Sequence, residues 1–235
     1  MPILYVIATP IGNLEDISYR AVRLLGEVGL IAAEDTRKTK RLLASYNIQT
    51  PLVSYHDFST DTKRSYLLKQ LDKIDVALVS EAGMPGISDP GYSLIAECIK
   101  QDIRVIPIPG ASAVITALVV SGLPTDQFTY IGFLPRKKTA RRRLLESIGS
   151  QPRTIITFES PHRIQATLQD LADVLGDRQI AICREMTKVH EEIFRGTAQK
   201  AIQHFAKPRG EFTLVVEGNK TKGKQADLNP QLEEE

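Results

Sequence analysis

The stretch Ile3 to Asn13 reads ILYVIATPIGN. Its first six residues, Ile3 to Ala8, form a nearly continuous apolar run, which Thr9-Pro10-Ile11-Gly12-Asn13 ends with turn-forming residues. Such a run, without polar alternation, fits a strand buried on both faces, as in a parallel sheet. The pattern returns at Leu30 to Ala33, Asp75 to Ser80 and Ile103 to Ile108. Between these runs, Asp16 to Val28, Arg37 to Tyr46, Thr60 to Leu71 and Tyr92 to Lys100 carry apolar residues at helical spacing. Strand and helix in alternation predict right-handed βαβ units on a parallel sheet. Ala111 to Val120 follows as an apolar helix without charged residues, which predicts burial in a domain or subunit interface.

A boundary fits at Ser121 to Asp126, where SGLPTD gathers Gly, Pro and small polar residues. Beyond it, strands are predicted at Gln127 to Phe133, Arg153 to Glu159, Gln179 to Arg184 and Glu211 to Glu217. Helices are predicted at Ala140 to Ile148, Ile164 to Leu175 and Thr197 to Phe205. Ser160 is expected to cap its helix, with Pro161 in the first helical position. The expected organisation is an α/β fold of two domains, 1–122 and 123–218, with a frayed tail at 219–235 that lacks periodicity. No internal repeat is found.

Composition narrows the class. The 235 residues are 42% hydrophobic and 25% charged, as in ordinary globular domains, so a disordered or fibrous chain is excluded. A net charge of only +2 excludes binding of polyanions through bulk charge but leaves room for a local basic patch. Cys98 and Cys183 stand far apart, which suggests neither a disulfide framework nor a thiolate zinc site; both read as small core residues. The start shows no signal-peptide pattern, and the most apolar stretch, Val105 to Leu123, is broken by Pro107, Pro109, Gly110 and Gly122. A cytoplasmic protein without a membrane span is expected.

Motifs for common chemistries are absent. There is no G-x-x-x-x-G-K-[ST] phosphate loop, no G-x-G-x-x-G after the first strand and no G-x-S-x-G elbow, although a dispersed triad stays open. His190-Glu191-Glu192 begins like a metalloprotease helix, but Phe194 stands where the second ligand belongs, and no metal site is expected. What remains is a set of small-residue loops, each at the carboxyl end of a predicted strand: Thr9 to Asn13, Glu81 to Gly91 and Pro109 to Ala113. In an open parallel sheet, loops at that end line the ligand crevice. Any one of them is equally a plain tight turn.

Several strings occur in order over nearly the whole chain: LYVIATPIGNLEDIS (Leu4 to Ser18), AEDTR (Ala33 to Arg37), SEAGMPGISDPG (Ser80 to Gly91), PGASA (Pro109 to Ala113), GFLPRK (Gly132 to Lys137), ESPHR (Glu159 to Arg163), REMTK (Arg184 to Lys188) and GEFTLVVEG (Gly210 to Gly218). Together they resemble the ribosomal RNA small subunit methyltransferase I family of the tetrapyrrole methylase superfamily. The resemblance implies two α/β domains of the tetrapyrrole methylase type, with S-adenosylmethionine in the interdomain cleft and usually a homodimer. It implies 2′-O-methylation of a cytidine in the decoding region of 16S ribosomal RNA, with the small ribosomal subunit or its RNA as partner.

Carried over by motif, the cofactor is expected to meet Pro10, Ile11, Gly12, Met84, Ile87, Ser112 and Ala113. An apolar cleft of backbone dipoles, without a tight counter-ion, suits a sulfonium that loses its charge on methyl transfer. Glu81 and Asp89 either bind the adenosine or amino-acid part or cap turns. Candidates for the proton transfer are Asp35 and Arg37, Glu159 and Arg163, and Glu185 and Lys188; each pair sets a carboxylate beside a cation at a strand end. An interdomain ion-pair network is the alternative for every pair. His162 reads as a helix-start residue rather than a catalyst.

Arg136, Lys137, Lys138, Arg141, Arg142 and Arg143 pack six cations into eight residues, and without them the net charge falls from +2 to −4. They are either a solvated helix start or an RNA phosphate contact. The chain departs from the resemblance in three places. His56-Asp57-Phe58-Ser59 replaces His-Glu-His-Asn, Glu81 and Met84 stand where Asp and Thr are common, and no further helical segment follows GEFTLVVEG, which implies a weaker or differently built grip on RNA. Two other readings stay open: a tetrapyrrole methyltransferase, against which the basic run argues, and a non-catalytic RNA-binding module.

Overall fold

A computed structural model describes residues 2–56 and 61–219. The first sheet contains β1 (Ile3–Ile7), β2 (Leu30–Ala33), β3 (Leu52–Ser54), β4 (Val76–Val79) and β5 (Arg104–Ile108), in the order β3-β2-β4-β1-β5. Every pairing in it is parallel, as the continuous apolar runs predict. β3 escapes sequence reading because it is a three-residue, half-buried edge strand behind Pro51, too short to show a pattern. Successive side chains of β1 face opposite ways, so both faces need a cover. Leu4 and Val6 pack with Leu67 of α3 (Asp61–Gln70) and Leu94 of α4 (Tyr92–Lys100). Ile7 packs with Leu24 and Leu25 of α1 (Tyr19–Glu27) and Leu43 of α2 (Thr36–Ser45). α1 starts later than its apolar pattern because Ser18 caps it, accepting from the Ala21 N–H at 3.1 Å.

The second sheet contains β6 (Phe128–Phe133), β7 (Thr154–Glu159), β8 (Gln179–Arg184), β9 (Glu192–Thr197) and β10 (Phe212–Val216), in the order β6-β7-β10-β8-β9. β6 and β7 are parallel and the other pairs antiparallel. β9 (EIFRGT) is the strand sequence reading missed: an edge strand, largely half-buried, with two charged residues and no apolar run. α6 (Lys138–Gly149), α7 (Ile164–Leu175) and α8 (Ala198–His204) cover one face through Leu145, Leu168, Leu171 and Ala201. α7 begins at Ile164 rather than Pro161. Ser160 supplies its carbonyl, not its hydroxyl, to the N–H groups of Arg163 and Ile164, at 3.1 and 3.0 Å.

The other face of the second sheet is covered by α5 (Ala113–Ser121), which leaves the carboxyl end of β5. Val114, Ala117 and Leu118 pack on Ile156, Ala181, Cys183 and Val215. The expected division after residue 122 groups this helix with the first sheet, but its packing puts it in the core of the second. Arg195 of β9 fastens its far end: Nε donates to the Ser121 carbonyl at 3.2 Å and Nη2 to the Val120 carbonyl, satisfying carbonyls that a helix end leaves free. Cys98 and Cys183 are core residues, and burial pushes both thiols up to about 11. Among the described residues, no helix is long and apolar enough to cross a membrane. The tail beyond Asn219 and the departure at Asp57-Phe58-Ser59 lie outside the described residues.

Candidate active site

Three loops leave the carboxyl ends of β1, β4 and β5 and meet where the strand order reverses, the place where open α/β sheets bind ligands. Thr9 and Gly83 exchange two backbone hydrogen bonds of 2.9 Å, and the Thr9 hydroxyl donates to the Ser80 carbonyl at 3.2 Å. Facing these loops is the end of the second sheet, and between the two lies a cavity of about 310 Å³. Ile11, Gly83, Met84, Ile87, Asp89, Ser112 and Ala113 line one side; Phe133, Phe158, Glu159, Met186, Glu211 and Thr213 line the other.

Of the residues expected to meet a cofactor, Ile11, Met84, Ile87, Asp89, Ser112 and Ala113 line this cavity. Ser112 also caps α5, accepting from the Ile115 N–H at 3.5 Å. Pro10 is buried and does not line this cavity. Glu81 lies elsewhere. Its carboxylate pairs with the Lys38 ammonium and its N–H donates to Glu34 Oε2 at 3.2 Å, outside the cavity. The hydrogen bond to Glu81 in turn holds the Lys38 pKa above its ordinary value.

Gly12 has a different duty from the one expected. A Cβ there would lie 2.5 Å from Thr187 Oγ1, 2.6 Å from Lys188 Cγ and 2.8 Å from the Met186 carbonyl oxygen. Only a glycine lets the first loop approach the turn after β8 this closely. The next residue completes the contact, since the Asn13 N–H donates to Thr187 Oγ1 at 3.0 Å. Within that turn, Glu185 (φ 50°) and the β-branched Thr187 (φ 64°) both adopt left-handed backbone, a strained choice for side chains of these types.

Hydrogen bonds hold the strained turn. Glu185 Oε1 accepts from the Glu211 N–H at 2.8 Å and from Lys188 Nζ at 3.0 Å, and Lys188 Nζ reaches Glu211 Oε2 at 2.8 Å. Burial works to raise the Glu185 pKa, but these donors outweigh it and hold the carboxyl below its ordinary value. Lys188 is the mirror case: burial works to lower its pKa, and its bonds to Glu211 and Glu185 raise it. Both shifts favour the charged forms of Glu185 and Lys188.

The other two charged motifs are engaged in hydrogen bonds and ion pairs of the fold. Asp35 caps α2, accepting from the N–H groups of Arg37 and Lys38 at 2.8 and 3.3 Å; the Arg37 bond chiefly lowers its pKa. Arg37 is exposed, 3.5 Å from Asp35, and neither residue lines the cavity. Glu159 does line it, yet its oxygens are committed to the Ser160 N–H at 2.8 Å, the Thr167 hydroxyl at 2.6 Å and Arg163 Nη2 at 3.3 Å. Arg163 itself ties down the turn after β6, donating to the carbonyls of Leu134 and Pro135 at 2.5 and 3.3 Å. His162 is exposed in the turn before α7.

The basic segment divides. Arg141 is buried, its Nε 2.8 Å from Asp170 Oδ2, and Arg142 reaches Asp170 at 3.3 Å and Asp173 at 2.7 Å. Both join α6 to α7, so Arg141 in particular cannot touch RNA. Arg136, Lys137, Lys138 and Arg143 are exposed and have no ion pair among the described residues. Sequence reading missed Phe133, Phe158, Met186, Glu211 and Thr213 as cavity residues. GFLPRK and GEFTLVVEG do contain three of them, but which strand ends face the first sheet is a tertiary fact.

The close approach at Gly12 carries a prediction. Gly12→Ala pushes the two sides of the cavity apart, and the affinity for S-adenosylhomocysteine, measured by calorimetry, falls by at least about tenfold, the cost of a displaced contact surface. An unchanged affinity contradicts the reading of Gly12 as the contact point.

Comparison with known proteins places this geometry. The family model of the Tetrapyrrole (Corrin/Porphyrin) Methylases matches residues 3–202. The ribosomal RNA small subunit methyltransferase I of Halalkalibacterium halodurans is 54% identical over 92% of this chain and 76% of its own length. That of Thermotoga maritima is 50% identical over 92% of this chain and 98% of its own length, so a relative of that name need not carry a long further segment. The uroporphyrin-III-C-methyltransferase of Thermus thermophilus shares the fold at a TM-score of 0.64 and 15% identity, covering 92% of this chain and 94% of that one. With half of its residues shared across nearly its whole length, the chain belongs to the tetrapyrrole methylase family and, within it, to the ribosomal RNA small subunit methyltransferase I proteins.

Proposed function

We propose that the chain methylates the ribose 2′-oxygen of a cytidine in the decoding region of small-subunit ribosomal RNA, with S-adenosylmethionine as donor. One observation carries the reading: a cavity between two sheets is lined by strand-end loops and by Phe133, which stands three residues before exposed cations that have no ion-pair partner among the described residues. The cavity suits a positively charged nucleoside. Its walls are largely apolar, its ionisable lining residues other than Cys183 are Asp89, Glu159 and Glu211, and no Lys or Arg lines it. When bound, the cofactor supplies an electrophilic methyl group on a sulfonium.

The chain's own part is to orient and to take a proton. The loops after β1, β4 and β5, with Met186 opposite, fix the donor's position, a proximity effect. Glu211 is assigned the proton of the ribose hydroxyl: it lines the cavity, its side chain is 79% exposed, and the Lys188 ammonium steadies it. Ile115 and Val119, exposed on the outer face of α5, are assigned to a homodimer contact. With ribosomal RNA as substrate, the site of action is the cytoplasm.

Two experiments test this. Incubation with labelled S-adenosylmethionine and unmodified small subunits, followed by digestion to nucleosides, yields labelled 2′-O-methylcytidine. Glu211→Gln binds cofactor normally but turns over at least about a hundredfold more slowly. Label in any other nucleoside, or none, removes the proposed reaction. Second, replacing Arg136, Lys137 and Lys138 together by Ser weakens subunit binding and makes its logarithmic salt slope shallower by about two, the loss of about three phosphate contacts. Arg141→Ala instead lowers the urea midpoint, because it leaves Asp170 buried without its main partner. An unchanged slope in the triple variant assigns those cations to solvent.

A further inference from the structure

Phe133 is exposed where a large aromatic side chain is least expected to be. It stands at the rim of the cavity, 55% open to solvent, at the end of a strand. Local structure aims it there. Between Tyr130 and Phe133, β6 advances three residues while β7 advances two, from Ile156 to Phe158, so β6 carries a bulge that redirects its last side chain. Gly132 supplies the turn with φ 65°, and its carbonyl accepts from the Thr157 hydroxyl at 2.7 Å. The backbone just beyond is fixed as well, because Arg163 donates to the carbonyls of Leu134 and Pro135 from its pairing with Glu159.

One side of the ring is already in use. Phe133 meets Phe158 edge to face, with centroids 5.7 Å apart, and the remainder has no aromatic partner among the described residues. A nucleotide in folded RNA is stacked on its neighbours, and bringing its ribose into a cleft between two sheets draws the base out of that stack. An aromatic side chain fixed at the rim replaces the lost stacking and does not depend on which base it receives. Arg136, Lys137 and Lys138 follow three residues later, so one short segment offers both a ring for the base and cations for the flanking phosphates.

We propose that Phe133 is the platform on which the base of the target nucleotide stacks, presenting the ribose to the cavity. This rests on the RNA reading given above. Phe133 thereby holds the substrate and not the cofactor, and the Arg163–Glu159 pair behind it has a positioning role.

The test compares Phe133→Ala, Phe133→Leu and Phe133→Tyr with the parent enzyme, on unmodified small subunits and labelled S-adenosylmethionine. Phe133→Ala and Phe133→Leu lower kcat/KM for subunits roughly ten- to a hundredfold, and Phe133→Tyr stays within about threefold, because a π-face and not bulk is required. Cofactor affinity by calorimetry and mass by light scattering stay at the parent's values in all three. The proposal is overturned if Leu serves as well as Phe, if cofactor affinity falls in step with kcat/KM, or if the variants lose a dimer that the parent forms. Should the parent itself transfer no methyl group to subunits, the RNA reading falls and this one with it; an active parent with an equally active Phe133→Ala removes only the stacking platform.

Discussion

The site depends on one helix crossing from one sheet to the other. α5 begins in the loop that ends β5 and buries Val114, Ala117 and Leu118 under the second sheet, against Ile156, Ala181, Cys183 and Val215. Burying side chains the size of Val114 and Leu118 contributes about 1.5–3 kcal/mol each, so the helix is held firmly in the second core. Its first residues cannot then move independently of either sheet. Ser112 and Ala113, at that point, line the cavity. Arg195 secures the other end of the helix from β9. The cleft is therefore a rigid consequence of core packing, with the close approach at Gly12 as its second fixed point.

Much of the charge around the cleft holds that geometry. Asp35 caps a helix, Glu159 and Arg163 pin the turn that carries Phe133, and Arg141 with Asp170 joins α6 to α7. The strained turn at Glu185 and Thr187 is held by the Glu185, Lys188 and Glu211 network, where each carboxylate and the ammonium find opposite charge or an N–H donor. Glu211 is left facing the cavity with most of its side chain exposed. A row of ion pairs at a domain contact and a catalytic constellation look alike in sequence, since both need carboxylates beside cations at strand ends.

That ambiguity marks where sequence reading stops. β1, β2 and β4 declare themselves because central strands covered on both faces are apolar throughout, the edge strand β5 through its run Val105 to Ile108, and α1, α2 and α4 because their buried faces recur at helical spacing. β3 and β9 are edge strands with one neighbour each, so nothing forces an apolar run on them. The three strand-end loops of the cavity are legible from Gly and Pro placement after apolar runs. The facing wall is not: Phe133, Met186, Glu211 and Thr213 gather through strand pairing in the second sheet and face the loops only when α5 docks that sheet over the first. The division of RKKTARRR into buried and exposed cations is equally invisible in composition, because Asp170 and Asp173 lie on another helix.

The central claim is that cofactor binds between the loops of the first sheet and the Glu185 to Lys188 turn of the second. Hydrogen exchange of the full chain with and without S-adenosylhomocysteine tests it most directly. Slower exchange is expected together in 9–13, 80–91, 109–113 and 185–188, with α6 unchanged. Protection confined to the loops of one sheet, or found outside these segments altogether, would contradict a cofactor held between the two.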